Sequence, residues 1–170
     1  MADKTPRRIV ICVVALCLPT LFLATPLAAQ NATFDIRFAD GKIAISADQI
    51  RSYDWATHTL TLAPTVREAL VKQLRGQGQG GLVSGIPFAV TVRGTPIYTG
   101  VFKSSVSSIP SSKPVIVVDE QIVDPTLGED RIRIARWYGT PGANLGDDPR
   151  GDARVRDALK SVGKLVGGLR

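Results

Sequence analysis

Both cysteines of this chain, Cys12 and Cys17, fall inside one apolar run near the N-terminus, Ile9 to Leu23 (IVICVVALCLPTLFL). Everything downstream of that run must fold without disulfides or thiol chemistry, on the burial of apolar side chains. Arg7 and Arg8 precede the run, and Leu27-Ala28-Ala29 follows it. A positive start, an apolar centre and small residues before a cut are the layout of a secretory signal peptide, expected to span residues 1–29. The run is shorter than the roughly 20 residues that cross a bilayer, and Pro19 interrupts it. Membrane contact is expected only if the signal stays uncleaved. Residues 30–170 are then a single domain, exported to a bacterial periplasm or secreted, and long enough to bury a core. Of 21 basic and 15 acidic residues, Lys4, Arg7, Arg8 and Asp3 leave with the signal, so the net charge falls from +6 to +4. A charge of that size spread along the chain argues against nucleic acid as a partner.

Residues 33–38 (TFDIRF) alternate, with Phe34, Ile36 and Phe38 on one face, and Ile43 and Ile45 continue the pattern after a turn at Asp40-Gly41. Ser46-Ala47-Asp48-Gln49 has the spacing of a capping box, in which Gln49 reaches back to Ser46. Residues 57–63 (THTLTLA) alternate again and place His58, Leu60 and Leu62 on one face. Thr65-Val66-Arg67-Glu68 reads as a second capping box, opening a helix with Val66, Ala69, Leu70 and Leu74 at helical spacing and Gly76 as a left-handed stop. Gly76 to Gly85 (GQGQGGLVSG) reads as a flexible connection from which no helix opens. Residues 86–93 and 97–102 form a hairpin that turns at Gly94-Thr95-Pro96; residues 115–118 (VIVV) read as a strand buried on both faces, and Arg131 to Trp137 as the last strand. Asp152 caps a final helix over 152–162, with Val155, Leu159 and Val162 inward. Strands and helices without regular βαβ alternation predict a single α+β domain: a mixed, mostly antiparallel sheet with two main helices.

Four groups of side chains are candidates for chemistry. Asp54 and His58 are four apart, and His58 is the only histidine. The strand period beginning at Thr57 denies them a shared helical face, so a hydrogen-bonded histidine at the mouth of a core is expected. Ser104, Ser105, Ser107 and Ser108 follow a strand, but no G-x-S-x-G surrounds them, and they fit turn and edge positions that satisfy local backbone. Asp147, Asp148 and Asp152 lie close in sequence without the spacing of a calcium loop, which favours capping and Asp–Arg pairing over a metal. Tyr98 and Phe102 share one side of their strand and are expected, if that side is open, to anchor a partner. No catalytic residue, metal or cofactor is assigned.

The blocks SYDWATHTLTLAPTVREALVKQL and GIPFAVTVRGTPIYTGVF place a Thr/Leu strand before a Glu/Ala/Leu helix, then a strand ending in V-x-G and a tight return. Over residues 52–118 this order resembles the first periplasmic (head) domain of the bacterial preprotein translocase subunit SecD. The resemblance implies a compact strand–helix–hairpin unit in an exported, non-enzymatic binding head; it carries no functional residue across, and residues 119–170 lie outside it. The expected function is therefore a non-catalytic envelope or secreted binding module that contacts another exported or membrane protein, or an extended peptide. Tyr98, Phe102 and the following serines form its expected surface, and strand addition at a sheet edge its mode. The alternatives are a small hydrolase using His58 with Asp54, a metal-assisted enzyme using the Asp147–Asp152 loop, and a membrane-surface protein using the basic last helix.

Overall fold

The computed structural model describes residues 33–139 and 146–167. The signal reading on residues 1–29 lies outside the described residues. The chain forms one α+β domain around a mixed sheet. Its strands are β1 (Phe34–Phe38), β2 (Ile43–Ser46), β3 (Ile50–Asp54), β4 (Thr59–Leu62), β5 (Ile86–Val92), β6 (Thr95–Lys103), β7 (Val115–Val117), β8 (Arg131–Ala135) and β9 (Leu165–Val166). The helices are α1 (Val66–Arg75), the short α2 (Gln79–Ser84) and α3 (Ala153–Ser161).

The strand order is β2-β1-β5-β6-β7-β8-β4-β3-β9. All pairings are antiparallel except β6 with β7 and β3 with β9. Sequence neighbours β2 and β3 thus stand near opposite ends of the sheet, joined by the 3-10 turn Ala47–Gln49. That connection is possible because the sheet curls on itself. The rings of Phe34 in β1 and Tyr53 in β3 meet edge to face, with centroids 6.2 Å apart. Val155, Ala158 and Leu159 of α3 enter the same core, and α3 packs on β1 and β5 before the chain returns as β9 beside β3. The last helix therefore bridges the two ends of the curl.

Alternation explains most of this. Phe34, Ile36, Phe88, Val90, Leu60, Leu62, Ile132 and Ile134 all point into one core. Val115, Ile116 and Val117 are buried throughout, as a strand covered on both faces requires. At the Ser46 turn, Gln49 Oε1 accepts the backbone N–H of Ser46 at 2.9 Å, as the spacing predicts.

Several local expectations are corrected. Thr65 precedes α1 with φ +67 and makes no side-chain cap, because a capping side chain needs an extended backbone to face the free N–H groups. Gly76 is right-handed, at φ −63. The glycine-rich stretch does open a helix: Gly78 (φ +94) and Gly85 (φ +104) bracket α2, which buries Leu82. The β5–β6 hairpin turns at Arg93-Gly94, so Thr95 and Pro96 belong to β6. His58 has φ +53 and sits in the β3–β4 turn, one residue before the strand.

Candidate functional site

The predicted docking surface is largely interior. Phe102 is 0% and Tyr98 7% exposed, because the Tyr98–Phe102 face of β6 is the concave, core-facing one. Phe102 packs on Phe88 and Phe38 at centroid distances of 4.9 and 5.7 Å. On one side β5 pairs along β6 from Thr95 to Phe102, and on the other β7 pairs with Val101–Lys103.

The serines beside it are mostly committed within the chain. The Ser104 hydroxyl donates to Asp119 Oδ2 at 2.7 Å, and the Ser105 N–H to Asp119 Oδ1 at 2.6 Å. Ser107 donates to the Val83 carbonyl at 2.7 Å and accepts from the buried Lys103 ammonium at 3.2 Å. Ser108 alone of the four is exposed. Lys103 also donates to the Ile109 carbonyl at 2.9 Å and lies 5.7 Å from the centre of the Tyr138 ring, whose hydroxyl donates to the Ser107 carbonyl at 2.7 Å. Burial holds the Lys103 pKa below that of an ordinary lysine. The lysine thus acts as a buried pin for the serine segment.

Asp54 and His58 end up in one turn but serve different partners. Asp54 Oδ1 accepts the N–H groups of Ala56 and Thr57 at 2.8 and 3.3 Å, a local turn that needs no histidine. His58 Nδ1 lies 2.9 Å from the Tyr53 hydroxyl, and its ring packs on Trp55. Arg150 acts on this corner through its charge, while it donates to both oxygens of Asp148 and to the Ile134 carbonyl at 2.6 Å. Burial first, then the Arg150 charge, lowers the His58 pKa below the ordinary histidine value. Burial likewise raises the Tyr53 and Tyr98 hydroxyls. The Tyr98 hydroxyl is buried without a hydrogen-bond partner among the described residues. The corner thus holds two polar pairs side by side, Tyr53 with His58 and Arg150 with Asp148, coupled through charge.

The acidic loop divides in the same way. Asp148 is taken by Arg150, while Asp152 caps α3 through the Arg154 N–H at 2.8 Å and pairs with the Arg154 guanidinium. Among the described residues, no three His, Cys, Asp or Glu side chains converge as metal ligands.

A surface that the sequence reading missed lies along α1. Two adjoining hollows of about 380 and 510 Å³ share Arg75, Val118 and Asp119. One wall is α1, through Val71, Lys72 and Arg75; the other is formed by Ile122 and Val106. Arg133 fixes this second wall by bonding Glu120 and, at 3.1 Å, Asp124, and Arg67 braces it by donating to the Val118 carbonyl at 2.7 Å. Ile122 and the neighbouring Val123 on this segment are 68% and 67% exposed, and Val106, on the serine segment tied to Asp119, is 77% exposed. Asp119 is already spent on Ser104 and Ser105, whereas Lys72 and Arg75 have no carboxylate partner among the described residues. The QIV triplet at 121–123 was the available signal: apolar residues directly after a polar turn, with no alternation to bury them. Compared with protein-family models, with curated proteins and with solved structures, the chain finds no match.

Proposed function

We propose that this chain is an exported, non-catalytic binding module that takes an extended segment of a protein partner in the groove between α1 and the Glu120–Ile122 turn. The observation that carries this reading is the juxtaposition of exposed Ile122 and Val106 with two uncommitted cations, Lys72 and Arg75, along one groove. Monomeric surfaces scatter their apolar residues singly, and an apolar cluster rimmed by charge is the usual mark of a docking site. The charge selects the partner: a peptide with an aliphatic side chain next to Asp or Glu matches both elements. The apolar run at residues 9–23 supports export, and the resemblance of residues 52–118 to the SecD head supports a binding role.

The test is a selection of random peptides displayed on phage against the purified protein. The expected outcome is an enriched pattern of one aliphatic residue beside one or two carboxylates. Binding of a representative peptide should weaken tenfold or more in Ile122→Asp and in the double variant Lys72→Glu, Arg75→Glu, with circular dichroism unchanged. A selection without a consensus, or a consensus peptide indifferent to all three substitutions, refutes the reading.

A further inference from the structure

The β5–β6 hairpin makes its two-residue turn through Arg93 at φ +52 and Gly94 at φ +75. Hairpin turns with both central residues at positive φ favour Asn-Gly or Gly-Gly, since side chains with a full Cβ substituent strain in the left-handed region. Glycine fills the second position, and arginine stands in the first. Nothing in the turn itself calls for arginine. The backbone N–H of Arg93 donates to the Thr33 carbonyl at 2.9 Å, a bond that asparagine or glycine makes equally well. The guanidinium has no hydrogen bond or ion pair among the described residues. A strained residue whose side chain is unused by the fold invites a role in binding.

What the guanidinium meets is a cleft of about 530 Å³ between this turn and α3. Val92, Ile97 and Ala158 supply its apolar part, and all three pack on the core. Of the charged residues on the rim, Arg154 is held by both oxygens of Asp152, at 3.0 and 2.7 Å, and Asp157 lies 3.6 Å from Arg156. Arg93 is left as the uncommitted cation beside an apolar floor. A single guanidinium fork matches one carboxylate, and the volume suits a small molecule.

We propose that the cleft between α3 and the β5–β6 turn binds a small amphiphilic carboxylate, its head on Arg93 and its aliphatic chain along Val92, Ile97 and Ala158. This cleft shares no residue with the groove on α1, so the two proposals stand or fall separately.

The experiment is a proton–nitrogen NMR titration of the protein with octanoate, acetate, 1-hexanol and anionic phospholipid vesicles in parallel. Octanoate should give saturable shifts centred on the amides of Arg93, Thr95, Ile97 and Ala158, and acetate and hexanol should bind at least tenfold more weakly. Arg93→Asn fits the turn better than arginine, so it should raise the Tm while weakening octanoate tenfold or more. Ile97→Asp, checked for fold by the same spectra, should weaken it as well. Absence of saturation, shifts centred elsewhere, or an Arg93→Asn variant that binds as the parent does would overturn the proposal. A response to vesicles but not to octanoate would overturn it in favour of a membrane surface.

Discussion

The lone histidine shows how one residue's surroundings fix its chemistry. His58 pairs through Nδ1 with the Tyr53 hydroxyl and meets Trp55 edge to face; its partial burial first, and the Arg150 charge second, favour the neutral ring. The consequence for stability has a definite sign. The folded pKa lies below the unfolded value, about 6.5, so between the two the unfolded chain holds more protons. Stability from this residue is fully present above the unfolded pKa and is lost as pH falls from there through the folded pKa. Asp148 and Asp152 have carboxyls already held below the usual range by Arg150 and Arg154, so their loss of stability comes at more acidic pH and leaves this window to His58. Urea denaturation at pH 7.5 and at pH 5.5 should therefore give a lower midpoint at the acid value. His58→Asn, which suits the left-handed backbone and does not titrate, should flatten the difference. An equal drop in that variant would assign the acid sensitivity to other groups.

At the level of elements, glycines separate those that are structural necessities from those that are merely permitted. A Cβ on Gly100 in β6 would sit 2.3 Å from Phe88 Cζ and 2.4 Å from the Pro114 carbonyl oxygen, so β6 and the chain entering β7 approach as closely as they do only with glycine there. Gly100→Ala should cost roughly 3 kcal/mol or more, as overpacking against backbone does. Gly80 in α2 has nothing within 4 Å of its Cβ position, and Gly80→Ala should instead stabilise by about 0.5–1 kcal/mol through helix propensity. Both follow from thermal or urea denaturation. A near-neutral Gly100→Ala would mean that the β6–β7 contact is looser than the geometry shows. The same elements mark where periodicity is legible. The strands β1, β5 and β6 and the helices α1 and α3 declare themselves by regular apolar spacing. In β3, a register shift between Ile50 and Ser52 puts buried Ile50 and Tyr53 three residues apart, so the period of two disappears from the sequence. Helix α2 hides in glycines, because its bracketing positions, Gly78 and Gly85, need positive φ and the composition imitates a linker. The pairing of Tyr98 with Phe102 on one face of β6 is equally legible, but alternation does not say which face is the inner one, and the curl of the sheet turned that pair inward.

The curl itself is a property of the whole molecule, and no local pattern encodes it. Strands β2 and β3 are separated by a three-residue turn yet end near opposite limits of the sheet, so strand order depends on the pairings of β5 to β8, farther along the chain. The α1 groove was hidden from sequence for the same reason: Lys72 and Ile122 become neighbours only through the tertiary fold. Closure falls to the last part of the chain. Tyr53 N–H donates to the Lys164 carbonyl at 2.7 Å and Trp55 N–H to the Val166 carbonyl at 2.9 Å, which covers the outer edge of β3 with the two residues of β9. An uncovered strand edge pairs readily with another chain, and proteins guard it with short strands or covering segments. A chain ending at Val162 keeps α3 but removes that cover. It loses the two bonds to β3, those of the Gly163 and Lys164 N–H groups to the Lys160 and Leu159 carbonyls, and the partial burial of Leu165, together about 3–6 kcal/mol. The expected outcome is a lower unfolding midpoint and concentration-dependent self-association in sedimentation velocity, the latter reversed by placing Lys at the half-buried Ser52 of β3. A shortened chain that stays monomeric at high concentration would show that β3 needs no guard, and that β9 contributes to stability alone.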